Sequence, residues 1–133
     1  MSTESHPVIL IVEDEEYLNK ALLCAFEDED FTVFSALDGN SALQLLKSQP
    51  IDVCIADMRL PDMTGNEFIA SAKTAHPELQ FIIFTGSIDY SIPRNLRDIG
   101  ITREHVFIKP IEDLNSLIDA AVQAYRKMGQ AIR

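Results

Sequence analysis

Basic residues are scarce in this 133-residue sequence: 11 Lys and Arg stand against 21 Asp and Glu, a formal charge of -10. An excess of this size argues against direct contact with nucleic-acid phosphates or anionic membranes, which need a basic face. Cysteine is nearly absent. The two present, Cys24 and Cys54, each lie within apolar segments and show no CxxC spacing, so both read as reduced core residues of a cytoplasmic protein rather than redox or zinc ligands. The three histidines, His6, His76 and His105, are scattered singly and read as surface or loop residues. No signal-peptide pattern opens the chain, and no apolar run approaches the ~18 residues that suggest a membrane span. Repeats, linkers and low-complexity tracts are also missing.

What is present is enough for one compact domain with a substantial core, 47% of residues being hydrophobic. After a polar lead, residues 1–7, apolar runs alternate with segments of helical period. The runs are Val8–Val12, Phe31–Phe34, Ile51–Ala56, Phe81–Phe84 and Val106–Ile108. Between them, Leu18, Leu22, Ala25 and Phe26 share one helical face, as do Ala42, Leu45 and Leu46. Asp38-Gly39-Asn40 reads as a turn. Thr64 and Glu67 have the spacing of a capping box, which predicts a helix with Phe68, Ala72 and Ala75 inward. Ile88, Ile92, Leu96 and Ile99 also have helical spacing, but Pro93 fits only a first turn, so a short helix from about Ser91 to Gly100 is expected. Leu114, Leu117, Ile118, Ala121, Val122 and Tyr125 mark the last helix. Five βα units predict a doubly wound parallel sheet with helices on both faces. Ligands of such folds bind beyond the carboxyl ends of the strands.

That edge carries the chemistry. Glu13 and Asp14 follow the first run, Asp57 the third, Thr85 the fourth and Lys109 the fifth. Two carboxylates ~5 Å apart at an effective dielectric of ~20 repel by roughly 3 kcal/mol, so three together call for a cation. Oxygen ligands on a partly open edge suit Mg²⁺, whereas an EF-hand pattern for calcium and His or Cys ligands for transition metals are lacking. Lys109 and Thr85 add a positive charge and a hydroxyl donor, as the electrostatic stabilisation of phosphoryl transfer requires. Asp57 is then the nucleophile that forms an acyl phosphate. A flavin fits poorly, because Glu13-Asp14-Glu15 replaces a phosphate-binding loop and would repel an anionic cofactor.

Over residues 8 to about 127 the chain resembles the receiver domains of two-component response regulators, the CheY-like family. The resemblance lies in Ile9 to Glu15, Asp57 to Gly65, Thr85-Gly86 and Lys109-Pro110. It implies a flavodoxin-like three-layer sandwich with a five-stranded parallel sheet in the order 2-1-3-4-5. It also implies phosphorylation of Asp57 by a histidine kinase or histidine phosphotransfer protein, with Mg²⁺ held by Glu13, Asp14, Asp57 and the backbone carbonyl of Arg59. The Lys109-Pro110 bond is expected to be cis. Residues 128–133 read as a tail or the start of a linker, leading to an unknown downstream protein or a fused output domain. Three features depart from the family pattern. Glu13 stands where Asp is common, Val106 replaces the usual switch aromatic, and the Gly100–Lys109 stretch is longer than usual. The altered switch region motivates an alternative, an interaction module of the same fold that works without phosphorylation. An aspartate-nucleophile hydrolase is a third reading, opposed by Arg59 where such enzymes place a second Asp as general acid.

Overall fold

The computed structural model describes residues 6–111 and 113–132. Five parallel strands, β1 (Val8–Val12), β2 (Thr32–Ala36), β3 (Val53–Ala56), β4 (Gln80–Thr85) and β5 (Val106–Ile108), form one sheet in the order β2-β1-β3-β4-β5. The helices between and after them are α1 (Glu16–Asp28), α2 (Gly39–Ser48), α3 (Gly65–Ala75), α4 (Arg94–Asp98) and α5 (Asn115–Ile132).

Alternation along each strand decides which helices cover which face. Leu10, Val12, Cys54, Ala56, Phe81 and Ile83 point to one side, where Ala42 and Leu46 of α2, Phe68, Ile69 and Ala72 of α3, and Leu96 of α4 close over them. Ile9, Ile11, Val53, Ile55, Ile82 and Phe84 point to the other, against Leu22 and Phe26 of α1 and Leu117, Ile118, Ala121 and Ala124 of α5. The central strands are covered twice, which is why they read as unbroken apolar runs. Full burial of one such side chain, Phe26 for example, contributes roughly 1.5–3 kcal/mol. The edge strand β2 differs: Thr32 and Ser35 are exposed.

Several local expectations are corrected. Asp38 is the N-cap of α2, its carboxylate accepting from the Ser41 amide at 2.7 Å, so Gly39 and Asn40 begin a helix rather than a turn. β2 starts at Thr32 and β3 at Val53; Asp52, just outside β3, uses its carboxylate to accept from the Val8 amide at 2.8 Å. Cys24 lies on the solvent face of α1, and only Cys54 is buried. Ala75 is exposed, and Ile69 takes the inward position instead. The helix expected from Ser91 to Gly100 shrinks to α4, with Ile88 left 79% exposed, and a 3-10 turn at Arg103–His105 precedes β5. Of the polar lead, residues 1–5 lie outside the described residues. Pro7 is buried and the His6 ring sits 4.6 Å from that of Phe31, so this end of the lead is packed. The backbone of α5 runs on through Ile132, past the expected start of a tail. The capping box holds: Thr64 Oγ1 accepts from the Glu67 amide at 3.1 Å, and the Glu67 carboxylate accepts from the Thr64 amide at 3.0 Å.

Candidate functional site

The strand order reverses between β1 and β3, and the acidic residues stand at that reversal. The sheet ladder extends one residue past the strands and carries them into place. The Glu13 amide donates to the Ala36 carbonyl at 3.1 Å, the Asp57 amide to Val12 at 3.1 Å, and the Lys109 amide to Thr85 at 2.8 Å. Glu13, Asp57, Thr85 and Lys109 are thus fixed by strand backbone, whereas Asp14 stands one residue further out, in the loop before α1. Gly65 tightens the arrangement further. A β-carbon there would lie 2.3 Å from the Asp57 carbonyl oxygen and 2.6 Å from Met58 Cα, so only glycine lets α3 approach the chain leaving Asp57.

At the centre is Lys109. Its Nζ donates to Glu13 Oε1 at 2.7 Å and to Asp57 Oδ2 at 3.1 Å, and lies 5.5 Å from the Phe84 ring centroid. Glu13, Asp57 and Thr85 are buried, at 2%, 7% and 1% exposure, while Asp14 is exposed. Carboxylate oxygens of Glu13, Asp14 and Asp57 all lie within 4.8 Å of one another. Glu13 Oε2 also accepts from the Glu15 amide at 3.0 Å, and Asp57 Oδ1 from the Arg59 amide at 3.4 Å. Thr85 Oγ1 accepts from the Ser87 amide at 3.3 Å. These residues, with Gly86, line an open cleft of about 420 Å³.

Burial pushes the Glu13 carboxyl above its ordinary range, and the hydrogen bonds from Lys109 and from the Glu15 amide only partly offset this. Burial pulls the Lys109 ammonium down, but its bonds to Glu13 and Asp57 outweigh that and raise it overall. Lys109 is therefore a fixed positive charge at neutral pH. Burial also raises the Cys54 thiol, which excludes it as a nucleophile there.

All five strand-end residues singled out from the sequence meet in this cleft. The Lys109-Pro110 peptide is cis, as the resemblance implied. Val106 packs with the α2–α4 face and Phe107 with the α1–α5 face, so Phe107 does not replace the missing aromatic. Two contributors went unnoticed in the sequence. Asn19 is buried in α1, and its amide donates to the Glu13 carbonyl at 3.0 Å and the Ala36 carbonyl at 3.1 Å, anchoring the turn that carries Glu13. The signal was a polar residue beside Leu18 and Leu22, indistinguishable from a solvated one. Tyr90, in the segment after β4, donates its hydroxyl to Asn66 Oδ1 of α3 at 2.8 Å.

A doubly wound α/β domain with an acidic, lysine-bridged pocket at its switch point defines a class, and the comparisons give it a family. The family model described as "Response regulator receiver domain" matches residues 9–122, and the chain belongs to that family. It is 31% identical over 129 residues, 96% of its length, to the hydrogenase transcriptional regulatory protein HoxA of Cupriavidus necator, covering 26% of that protein. It is 23% identical to the cell cycle response regulator CtrA of Brucella ovis, over 93% of this chain and 53% of that one. The chain thus spans about a quarter to a half of these relatives. Among solved structures, a CheY-like receiver domain protein from Methanospirillum hungatei superposes with a TM-score of 0.82 at 22% identity, covering 96% of this chain and 99% of that one. The signal receiver domain of an HD domain-containing protein from Pseudomonas fluorescens gives 0.79 at 28% identity, over 95% and 99%. Among the described residues, no helix is long and apolar enough to cross a membrane.

Proposed function

We propose that Asp57 is the phosphoacceptor of a two-component signalling switch and takes its phosphoryl group from a histidine kinase or histidine phosphotransfer protein. The Lys109 bridge to Glu13 and Asp57 carries this reading. An ammonium held 3.1 Å from Asp57 by a second, buried carboxylate stands where negative charge builds up as a phosphoryl oxygen arrives. An Asp57 carboxylate oxygen attacks phosphorus, the P–N bond of the phosphohistidine breaks, and the leaving imidazole nitrogen retains the electron pair and gains a proton. The product is an acyl phosphate on Asp57. Lys109 and the Thr85 hydroxyl are in the cleft to donate to its oxygens.

The donor set fits Mg²⁺. It consists of hard oxygens alone, three of them from carboxylates, and one lysine leaves two of the three formal charges uncompensated. Asp14, Asp57 and the Arg59 carbonyl would hold the ion directly. Glu13, whose two oxygens already accept from Lys109 and the Glu15 amide, would hold it through water. When bound, Mg²⁺ supplies charge neutralisation for the transferring phosphoryl group.

The phosphorylated site would then bias the segments after β4 and before β5 towards a downstream protein or a fused output domain. Incubation with Mg²⁺ and acetyl phosphate, followed by intact-mass measurement, tests the proposal. One added phosphoryl mass is expected in the wild type and none in Asp57→Asn. An unmodified wild type, or a variant that is modified equally, would leave the phosphorylation-independent module as the better reading.

A further inference from the structure

We propose that His105 is a pH-sensitive latch on the turn that opens β5, and that protonating it releases one wall of the groove beside Tyr90 and Val106. The inference does not depend on phosphoryl transfer at Asp57. The Thr102 amide donates to His105 Nδ1 at 2.9 Å, and the His105 amide returns a bond to the Thr102 carbonyl at 2.9 Å. Thr102 Oγ1 lies 3.2 Å from the same ring nitrogen. A backbone N–H can only donate, so Nδ1 must be the unprotonated nitrogen of a neutral ring. An imidazolium would set N–H against N–H, and the Thr102 amide would lose its partner. A three-residue 3-10 turn has too few bonds of its own to absorb that loss.

The turn matters because of what it borders. Arg103 from the turn and Val106 and Ile108 from β5 line a groove of about 490 Å³ together with Ile88, Tyr90 and Arg97 from the segment after β4 and from α4. β4, packed beneath the turn, has no ionisable side chain from Gln80 to Thr85. From α5, Lys127 opposes a charge on the ring, while Glu104 of the same turn and, more weakly, the Thr102 backbone favour one. Lys127 and Glu104 are 3.8 Å apart and both well exposed, so their pair is weak. Arg97 and Arg103 add further positive charge along the groove. Half-burial of the ring and Lys127 prevail, holding the imidazole below its ordinary range. As pH falls through the histidine range, the bond to Thr102 is expected to open, and Arg103 and Val106 to move.

An NMR titration of the whole protein tests this by following the His105 ring carbons and the Thr102, Arg103 and Val106 amides. The ring is expected to titrate below about 6.5, with the three amides shifting at the same midpoint. His105→Asn supplies an oxygen that accepts from Thr102 without titrating, so in that variant the amide shifts should disappear while Thr102 keeps its neutral-pH position. Amides that stay still through the ring's midpoint, or that shift equally in His105→Asn, would overturn the proposal. If the variant fails to fold, the wild-type titration decides alone: coincident ring and amide midpoints support the latch, and stationary amides reject it.

Discussion

Lys109 and Glu13 are 96 residues apart in sequence, yet Nζ and Oε1 meet at 2.7 Å, joining the ends of β5 and β1. Burial nonetheless holds the Glu13 carboxyl above its ordinary 4.5, despite the hydrogen bond from the lysine. The folded protein thus keeps the Glu13 proton to a higher pH than the unfolded chain does. That contribution to stability is complete below about pH 4.5 and is lost as pH rises through the elevated folded value. Glu13→Gln has no such proton to lose. The wild-type unfolding free energy minus that of Glu13→Gln is therefore expected to fall as pH rises above 4.5. Urea unfolding of both proteins across the acidic range measures it.

Mg²⁺ acts in the opposite sense. An ion that binds only the folded state at ten times its dissociation constant adds about 1.4 kcal/mol. The thermal midpoint of the wild type is expected to rise with MgCl₂ above that seen in NaCl of matched ionic strength. Asp14→Asn should lose most of the gain, since Asp14 is the exposed member of the cluster and its replacement disturbs no core packing. Equal stabilisation of wild type and variant would show that the ion acts elsewhere.

Gly65 and Gly86 give a matched contrast beside the same site. A β-carbon at Gly65 would overlap the Asp57 carbonyl oxygen and Met58, whereas one at Gly86 meets nothing within 4 Å. Gly65→Ala is expected to cost about 1–3 kcal/mol, the usual range for overpacking, and to displace Asp57. Gly86→Ala should stay within about 0.5 kcal/mol of the wild type. Chemical denaturation gives the energies, and the rate of acyl-phosphate formation reports the displacement.

The sheet and the strand-end residues were legible because long-range geometry followed from local pattern. Val8–Val12 and Val53–Ala56 are apolar throughout, which required two covering layers, and a parallel sheet then brings every strand end to one edge. What escaped was set by tertiary contacts. Cys24 has apolar neighbours on both sides in sequence, but its place on the helix turns it outward. Ile88 keeps helical spacing with Ile92 and Leu96, yet the chain delays its helix to Arg94, just after Pro93. Asn19 and Tyr90 are polar groups whose partners come from remote segments, and composition carries no trace of such pairings.

Tyr90 is the most consequential of these. The Ser87 amide donates to Thr85 Oγ1, the Tyr90 amide donates to the Ser87 carbonyl at 3.1 Å, and the Tyr90 hydroxyl donates to Asn66. A continuous chain of bonds therefore runs from the floor of the cleft to the second residue of α3. The Tyr90 ring also packs against the α2–α4 core and lines the groove with Val106. Tyr90→Phe keeps the ring and removes only the last bond, at an expected cost of about 1 kcal/mol. The loss should be local. Hydrogen exchange is expected to quicken in residues 86–92 and at the start of α3, leaving β1 and β3 unchanged, because the core contacts of the ring remain. Uniform acceleration across the sheet would mean that the hydroxyl supports global stability instead. No change at either segment would mean that the bond does not couple the two loops.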